Sequence, residues 1–125
     1  MTRLSSASPQ FLVDDLAASI GYYTGTLGFE VNIQHADYYA SVKRDDAEIH
    51  LKAAAKLLEE RRLRLENEHI DAYIWVPDIA SLHAEFAAAG ALILHPPTLQ
   101  PWGVRDFYVK DIDDYILCFG EQEPA

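Results

Sequence analysis

Pro101-Trp102-Gly103-Val104-Arg105-Asp106-Phe107-Tyr108-Val109-Lys110-Asp111-Ile112-Asp113-Asp114-Tyr115-Ile116-Leu117-Cys118-Phe119 is the stretch whose reading decides the fold. A tryptophan between Pro101 and Gly103 opens it, apolar runs lie at 107–109 and 115–119, and Asp111, Asp113 and Asp114 stand between them. Short Asp side chains hydrogen-bond their own backbone and favour chain reversal, so the pattern predicts a β-hairpin closed by an acidic turn.

Upstream, residues 70–76 read as a strand and Asp78, after Pro77, as a helix N-cap. Ile79, Leu82, Phe86 and Ala89 then mark one helix face, and Gly90 ends it. Residues 91–94 form a strand that His95-Pro96-Pro97 breaks. The first half of the chain has the same order. Residues 11–13 are a strand and Asp14 or Asp15 is a cap; Leu16, Ile20, Tyr23 and Leu27 form an apolar stripe, and Gly28 is the stop. Three strands come next, at 29–33, 38–42 and 48–51. Tyr23 lies eight residues beyond Asp15, as Phe86 lies eight beyond Asp78. Strand, helix and three strands therefore occur twice, which is the signature of an internal duplication. The halves are 8–52 and 68–121. Between them, 53–67 is rich in Ala, Leu, Glu and Arg and reads as a partly helical connector, either a simple span or a mobile lid.

A chain of 125 residues, half of them apolar, buries one core and forms one domain, 1–125. Twenty acidic against ten basic residues give a formal charge of −10, which repels phosphate backbones and anionic lipid surfaces and favours cationic ligands. Nucleic-acid and membrane-surface roles are therefore disfavoured. Cys118 is the one cysteine, so no internal disulfide forms, and no stretch matches a signal-peptide core or a membrane span. A cytoplasmic protein is expected. No CxxC pair, phosphate-cradling glycine loop or Ser-His-Asp signature occurs.

Asp15-Leu16 through Tyr23 to Leu27-Gly28-Phe29, Val76-Pro77-Asp78-Ile79 to Ala89-Gly90-Ala91, and the Trp102 hairpin with Asp111-Ile112-Asp113-Asp114 carry a resemblance to the vicinal oxygen chelate superfamily. That superfamily includes glyoxalase I, extradiol dioxygenases and bleomycin resistance proteins. The last turn departs from the family's Asp-Pro-Asp-Gly, with Ile112 for Pro and Asp114 for Gly. The resemblance implies an α+β fold of two paired βαβββ modules whose curved mixed sheets form a cup, completed in a homodimer. It also implies metal ligands on the first, fourth, fifth and eighth strands, at positions held here by Ser8, His50, Asp71 and Cys118.

That set is poor for a hard or borderline divalent cation, because Ser8 is a weak donor and a mixed His50, Asp71 and Cys118 site is unusual for the family. Glu48 and His69 are nearby substitutes on the same faces. His50 also reads as a hydrogen-bonded histidine, and Cys118 as a small core residue. The remaining cup-face residues are aromatic and polar: Tyr73 and Trp75 beside Asp71, Gln10 on the first strand, and Trp102 with Arg105 at the lip. Aromatic faces with Asp71 or Glu48 as counter-charge suit a flat or cationic organic molecule. Tyr73 and Trp75 read equally well as filling a dimer core.

The pattern accommodates three functions. The first is a bleomycin resistance-like protein that sequesters an aromatic or cationic compound without catalysis or cofactor. The second is a metal-dependent lyase, dioxygenase or thiol transferase of the same superfamily using a divalent metal ion. The third is a non-catalytic interaction module.

Overall fold

The computed structural model describes residues 1–54 and 58–122. Its elements run β1 (Gln10–Val13), α1 (Leu16–Gly25), β2 (Glu30–His35), β3 (Tyr39–Arg44), β4 (Ala47–Ala53), α2 (Leu58–Glu66), β5 (Ile70–Trp75), α3 (Ile79–Ala89), β6 (Leu92–Leu99), β7 (Val104–Lys110) and β8 (Ile116–Gln122). Two four-stranded sheets form, with strand orders β1-β4-β3-β2 and β5-β8-β7-β6. In each sheet the first strand of the module pairs parallel to the last, and the remaining pairs are antiparallel. The duplication read from sequence is thus a duplication of topology.

Both long helices start where a carboxylate accepts a first-turn amide: Asp15 from Ala18 N at 3.0 Å and Asp78 from Ser81 N at 3.1 Å. The expected glycine stop holds for α3, whose C-cap Gly90 has φ +83°. It does not hold for α1, which ends at Gly25 with Thr26 as C-cap. Gly28, at φ +77°, instead turns the chain toward β2, and a Cβ there would stand 2.9 Å from Arg44 Nη1. The strand break implied by His95-Pro96-Pro97 does not occur: β6 runs through it to Leu99, with register shifts after Ile93 and His95. Because β6 is the edge of its sheet, the prolines need no ladder partner on the outer side. Residues 55–57 of the expected connector lie outside the described residues; α2 occupies its second half.

One hydrophobic core serves both modules. Phe11, Val13, Tyr23, Phe29 and Leu51 of the first half join Phe86, Phe107, Val109, Leu117 and Phe119 of the second. Alternation along each strand sends the strand residues among these inward, to meet Tyr23 of α1 and Phe86 of α3, and leaves the other face of each sheet for polar and aromatic groups. The β7–β8 turn locks the halves together. Tyr115 stacks on Phe11 with ring centroids 4.2 Å apart, accepts from Leu12 N at 2.8 Å and donates to Leu12 O at 3.1 Å. Asp111 is fully buried: its Oδ1 accepts from the amides of Asp113 and Tyr115, and its Oδ2 from the Tyr23 hydroxyl. Asp114, where the family pattern has glycine, takes φ +65° and is held by Lys110 at 3.1 Å. An Asp tolerates this left-handed position better than most residues, which is why the turn survives without glycine.

Candidate functional site

The outward face of β1, β3 and β4 carries a hydrogen-bonded chain. Gln10 Nε2 donates to the Tyr39 hydroxyl at 3.2 Å, and that hydroxyl lies 2.7 Å from His50 Nδ1. The other ring nitrogen of His50, Nε2, faces Glu48 Oε1 at 3.9 Å. Glu48 in turn accepts from Asn32 at 2.7 Å and from Ser41 at 2.9 Å, and these bonds hold its carboxyl below the usual range. Gln10, His50 and Glu48 therefore form one network on one face.

The outward face of β5, β7 and β8 is aromatic above and acidic below. Tyr73 and Trp75 stand side by side with ring centroids 4.9 Å apart. Trp75 remains 60% exposed, whereas Tyr73 lies over Gly120 of β8, with Cys118 as its cross-strand neighbour. Beneath them Cys118 is fully buried on the same face as Asp106, which Gln100 holds at 3.0 Å. Burial, and then the Asp106 charge, push the Cys118 thiol up to about 12; burial, and then the neighbouring Cys118, bring the Tyr73 phenol to about 12. Both groups stay protonated at neutral pH, so neither is a nucleophile or an anionic ligand there.

Two cavities adjoin these faces. One, of about 520 Å³, lies between the start of β4, the edge strand β5 and the start of α3; Tyr73, Trp75 and Phe86 form part of its wall, and Asp46, Glu48 and Asp78 add carboxylates. The hydrogen bonds that Asp78 makes with Ser81 keep its carboxyl below the usual range, so that side of the cavity is anionic at neutral pH. The other, of about 500 Å³, lies beside α2 and is lined by Gln10, Arg64, His69, Asp71 and Tyr115 among others. Asp71 accepts from Ile116 N at 2.8 Å, and burial raises its pKa.

The residues singled out in the sequence are thereby distributed over distinct places. Tyr73, Trp75 and Glu48 share the first cavity; Gln10 and Asp71 border the second; His50 sits on the polar network. Trp102 lies on the β6–β7 turn, 69% exposed and outside both linings. Arg105 shares the inward side of β7 with Phe107 and Val109, cross-strand from Glu121, instead of standing at the lip. Glu121 itself caps α3 by accepting from Ile79 N at 2.9 Å. Sequence reading missed Asp106, Asp46 and Gly120. Asp106 had a signal, since hairpin pairing puts it on the same face as Tyr108 and Cys118; Gly120 had none without the neighbouring strand.

His50, Asp71 and Cys118 are a poor donor set for a metal ion. His50 has Nδ1 occupied by Tyr39, Asp71 holds a backbone amide, and the Cys118 thiol is buried and protonated. Among the described residues no three His, Cys, Asp or Glu side chains converge. No described helix is long and apolar enough to cross a membrane.

Residues 6–119 match the family described as Glyoxalase/Bleomycin resistance protein/Dioxygenase superfamily. The bleomycin resistance protein of Geobacillus stearothermophilus is 32% identical over 127 residues, covering 91% of this chain and 94% of that one. Among solved structures, the bleomycin-binding protein of Streptomyces verticillus complexed with copper(II)-bleomycin superposes with a TM-score of 0.73 at 24% identity, over the full length of both chains. The bleomycin resistance determinant encoded on transposon Tn5 superposes with a TM-score of 0.79 at 20% identity, over 97% of this chain and 100% of that one. At those identities the likeness establishes the fold; the match along the chain establishes descent. The chain belongs to the glyoxalase/bleomycin resistance protein/dioxygenase superfamily.

Proposed function

We propose that this protein binds and sequesters a bulky, cationic aromatic compound of the bleomycin type, without transforming it and without a cofactor. The observation that carries the reading is the 520 Å³ cavity, where Trp75 and Tyr73 stand beside Asp46, Glu48 and Asp78 in a chain 32% identical to a bleomycin resistance protein. Aromatic faces attract planar and cationic groups, and the carboxylates complement positive charge. The overall charge of −10 adds long-range attraction for the same ligand. A homodimer in the cytoplasm completes the proposal. Exposed Val31, Ile33, Leu92 and Leu99 on the edge strands β2 and β6 are surface that a second copy would cover, and an unpaired cysteine is at home in a reducing compartment.

Titration with bleomycin, followed by calorimetry and thermal unfolding, tests the proposal. A ligand that binds only the folded state at 100 times its dissociation constant stabilises it by about 2.7 kcal/mol. The expected result is a concentration-dependent rise in Tm, with bleomycin recovered chemically unchanged. No rise at any concentration, or conversion of the ligand, would overturn the reading. Sedimentation measured in parallel tests the dimer.

A further inference from the structure

Gly120 has an ordinary backbone conformation, so nothing in its φ requires glycine. What requires it is Tyr73. A Cβ at Gly120 would collide with the Tyr73 hydroxyl and stand 2.8 Å from two of its ring carbons. In the parallel β5–β8 ladder Tyr73 pairs with Cys118 and Trp75 pairs with Gly120. Tyr73 therefore leans along the sheet from its own partner into the space left bare opposite Trp75. That lean places the two rings 4.9 Å apart at an interplanar angle of 53°, and it leaves Trp75 standing clear with its indole exposed to the cavity.

We infer that Gly120 is a positioning residue for ligand binding: its missing side chain seats Tyr73 against β8, and so sets the angle and exposure of Trp75 and the width of the cavity. The inference rests on the proposed binding function for its ligand readout, and on geometry alone for the rest. Any side chain at 120 lifts the phenol ring away from β8. Tyr73 lines the cavity, so a displaced ring changes the space open to the ligand while Trp75 loses its neighbour.

A double-mutant cycle between Gly120→Ala and Tyr73→Ala, in a Trp102→Phe background that leaves Trp75 as the one tryptophan, tests this. Two readouts are taken: bleomycin affinity, and acrylamide quenching of Trp75 fluorescence. With Tyr73 present, Gly120→Ala should weaken bleomycin binding at least tenfold and alter quenching. With Tyr73→Ala already in place, it should change neither. Equal losses in both backgrounds, or no loss in either, would sink the inference, because a generally weakened β8 gives additive effects. If the parent protein does not bind bleomycin, the proposed function fails, while the quenching cycle still decides the role of Gly120. If Gly120→Ala does not fold, folding of the Gly120→Ala/Tyr73→Ala pair supports the inference, and failure of both refutes it.

Discussion

The hydroxyl of Tyr23 on α1 donates to Asp111 Oδ2 on the β7–β8 turn across 2.8 Å, with both residues fully buried. This bond joins the helix of the first module to the turn of the second, 88 residues later. Removing the hydroxyl leaves a carboxylate oxygen in the core without a donor, which costs about 1–3 kcal/mol. Tyr23→Phe should therefore lower the unfolding free energy from urea titration by that amount, seen as a lower midpoint with an unchanged m-value. A loss below a few tenths of a kcal/mol would show that water replaces the phenol.

Asp111 also makes stability depend on pH. Burial raises its carboxyl to about 6, against bonds from Tyr23, Tyr115 and Asp113 that pull it down. A carboxyl with a raised folded-state pKa favours folding in its protonated form. Its contribution is complete below about pH 4 and is lost as pH rises through about 6. Asp111→Asn removes this dependence, so the wild type should lose roughly 2 kcal/mol relative to the variant between pH 4 and pH 7. Asp113, also raised by burial, faces the same turn and titrates in the same direction in both proteins. A stability difference that is flat with pH would show that Asp111 ionises freely.

Trp75, and not Trp102, should govern ligand affinity. Trp75→Ala removes an aromatic wall of the acidic cavity, and stacking contributes about 0.5–1.5 kcal/mol beyond the area buried. The expected loss in bleomycin affinity is tenfold or more by calorimetry, with less than a threefold change for Trp102→Ala. The reverse order would return the site to the β6–β7 turn.

Cys118 should be silent toward thiol reagents. It is fully buried and its thiol lies near 12, so Ellman's reagent at pH 8 should label the folded protein negligibly and the urea-unfolded protein stoichiometrically. Rapid labelling of the folded protein would mean that Tyr73 does not cover it.

The helix α2 should detach when its clasp is cut. None of its described side chains is buried. It is held by Arg61, which bonds both Asp14 at the end of β1 and Asp113 in the β7–β8 turn, and by Arg64, whose guanidinium sits 4.0 Å over the Tyr115 ring. Arg61→Ala removes the counter-charge from the buried Asp113 carboxylate and leaves it the Asp14 amide at 3.0 Å, and about 1–3 kcal/mol of stability should go with it. Trypsin should then cut after Arg62 and Arg64 much faster than in the wild type, and 1 M salt should move the wild type part of the way. Unchanged cleavage would show that α2 is held by something other than charge.

Sequence by itself determined the features that arise from local chemistry and periodicity. Asp15 and Asp78 start helices because a short carboxylate meets free amides wherever it precedes an apolar stripe, and Tyr23 and Phe86 are core residues because equal spacing on two amphipathic helices puts them on equivalent faces. The duplication, the acidic hairpin turn and the family were all legible in the unfolded string of residues. Residues whose role depends on a partner distant in sequence were not. Arg105 turns to the core side of β7, opposite Glu121 of β8, and not to the lip. The proline-containing β6 persists because it ended up at an edge, and Asp14 and Asp113 share Arg61 because folding brings two modules and the connector to one point. Gly120 looks like any glycine in a strand until β5 is laid beside it; then the absence of a side chain becomes the space that Tyr73 occupies. Backbone propensity acts over a few residues and is written locally, whereas steric complementarity belongs to pairs of strands and exists only once they are packed.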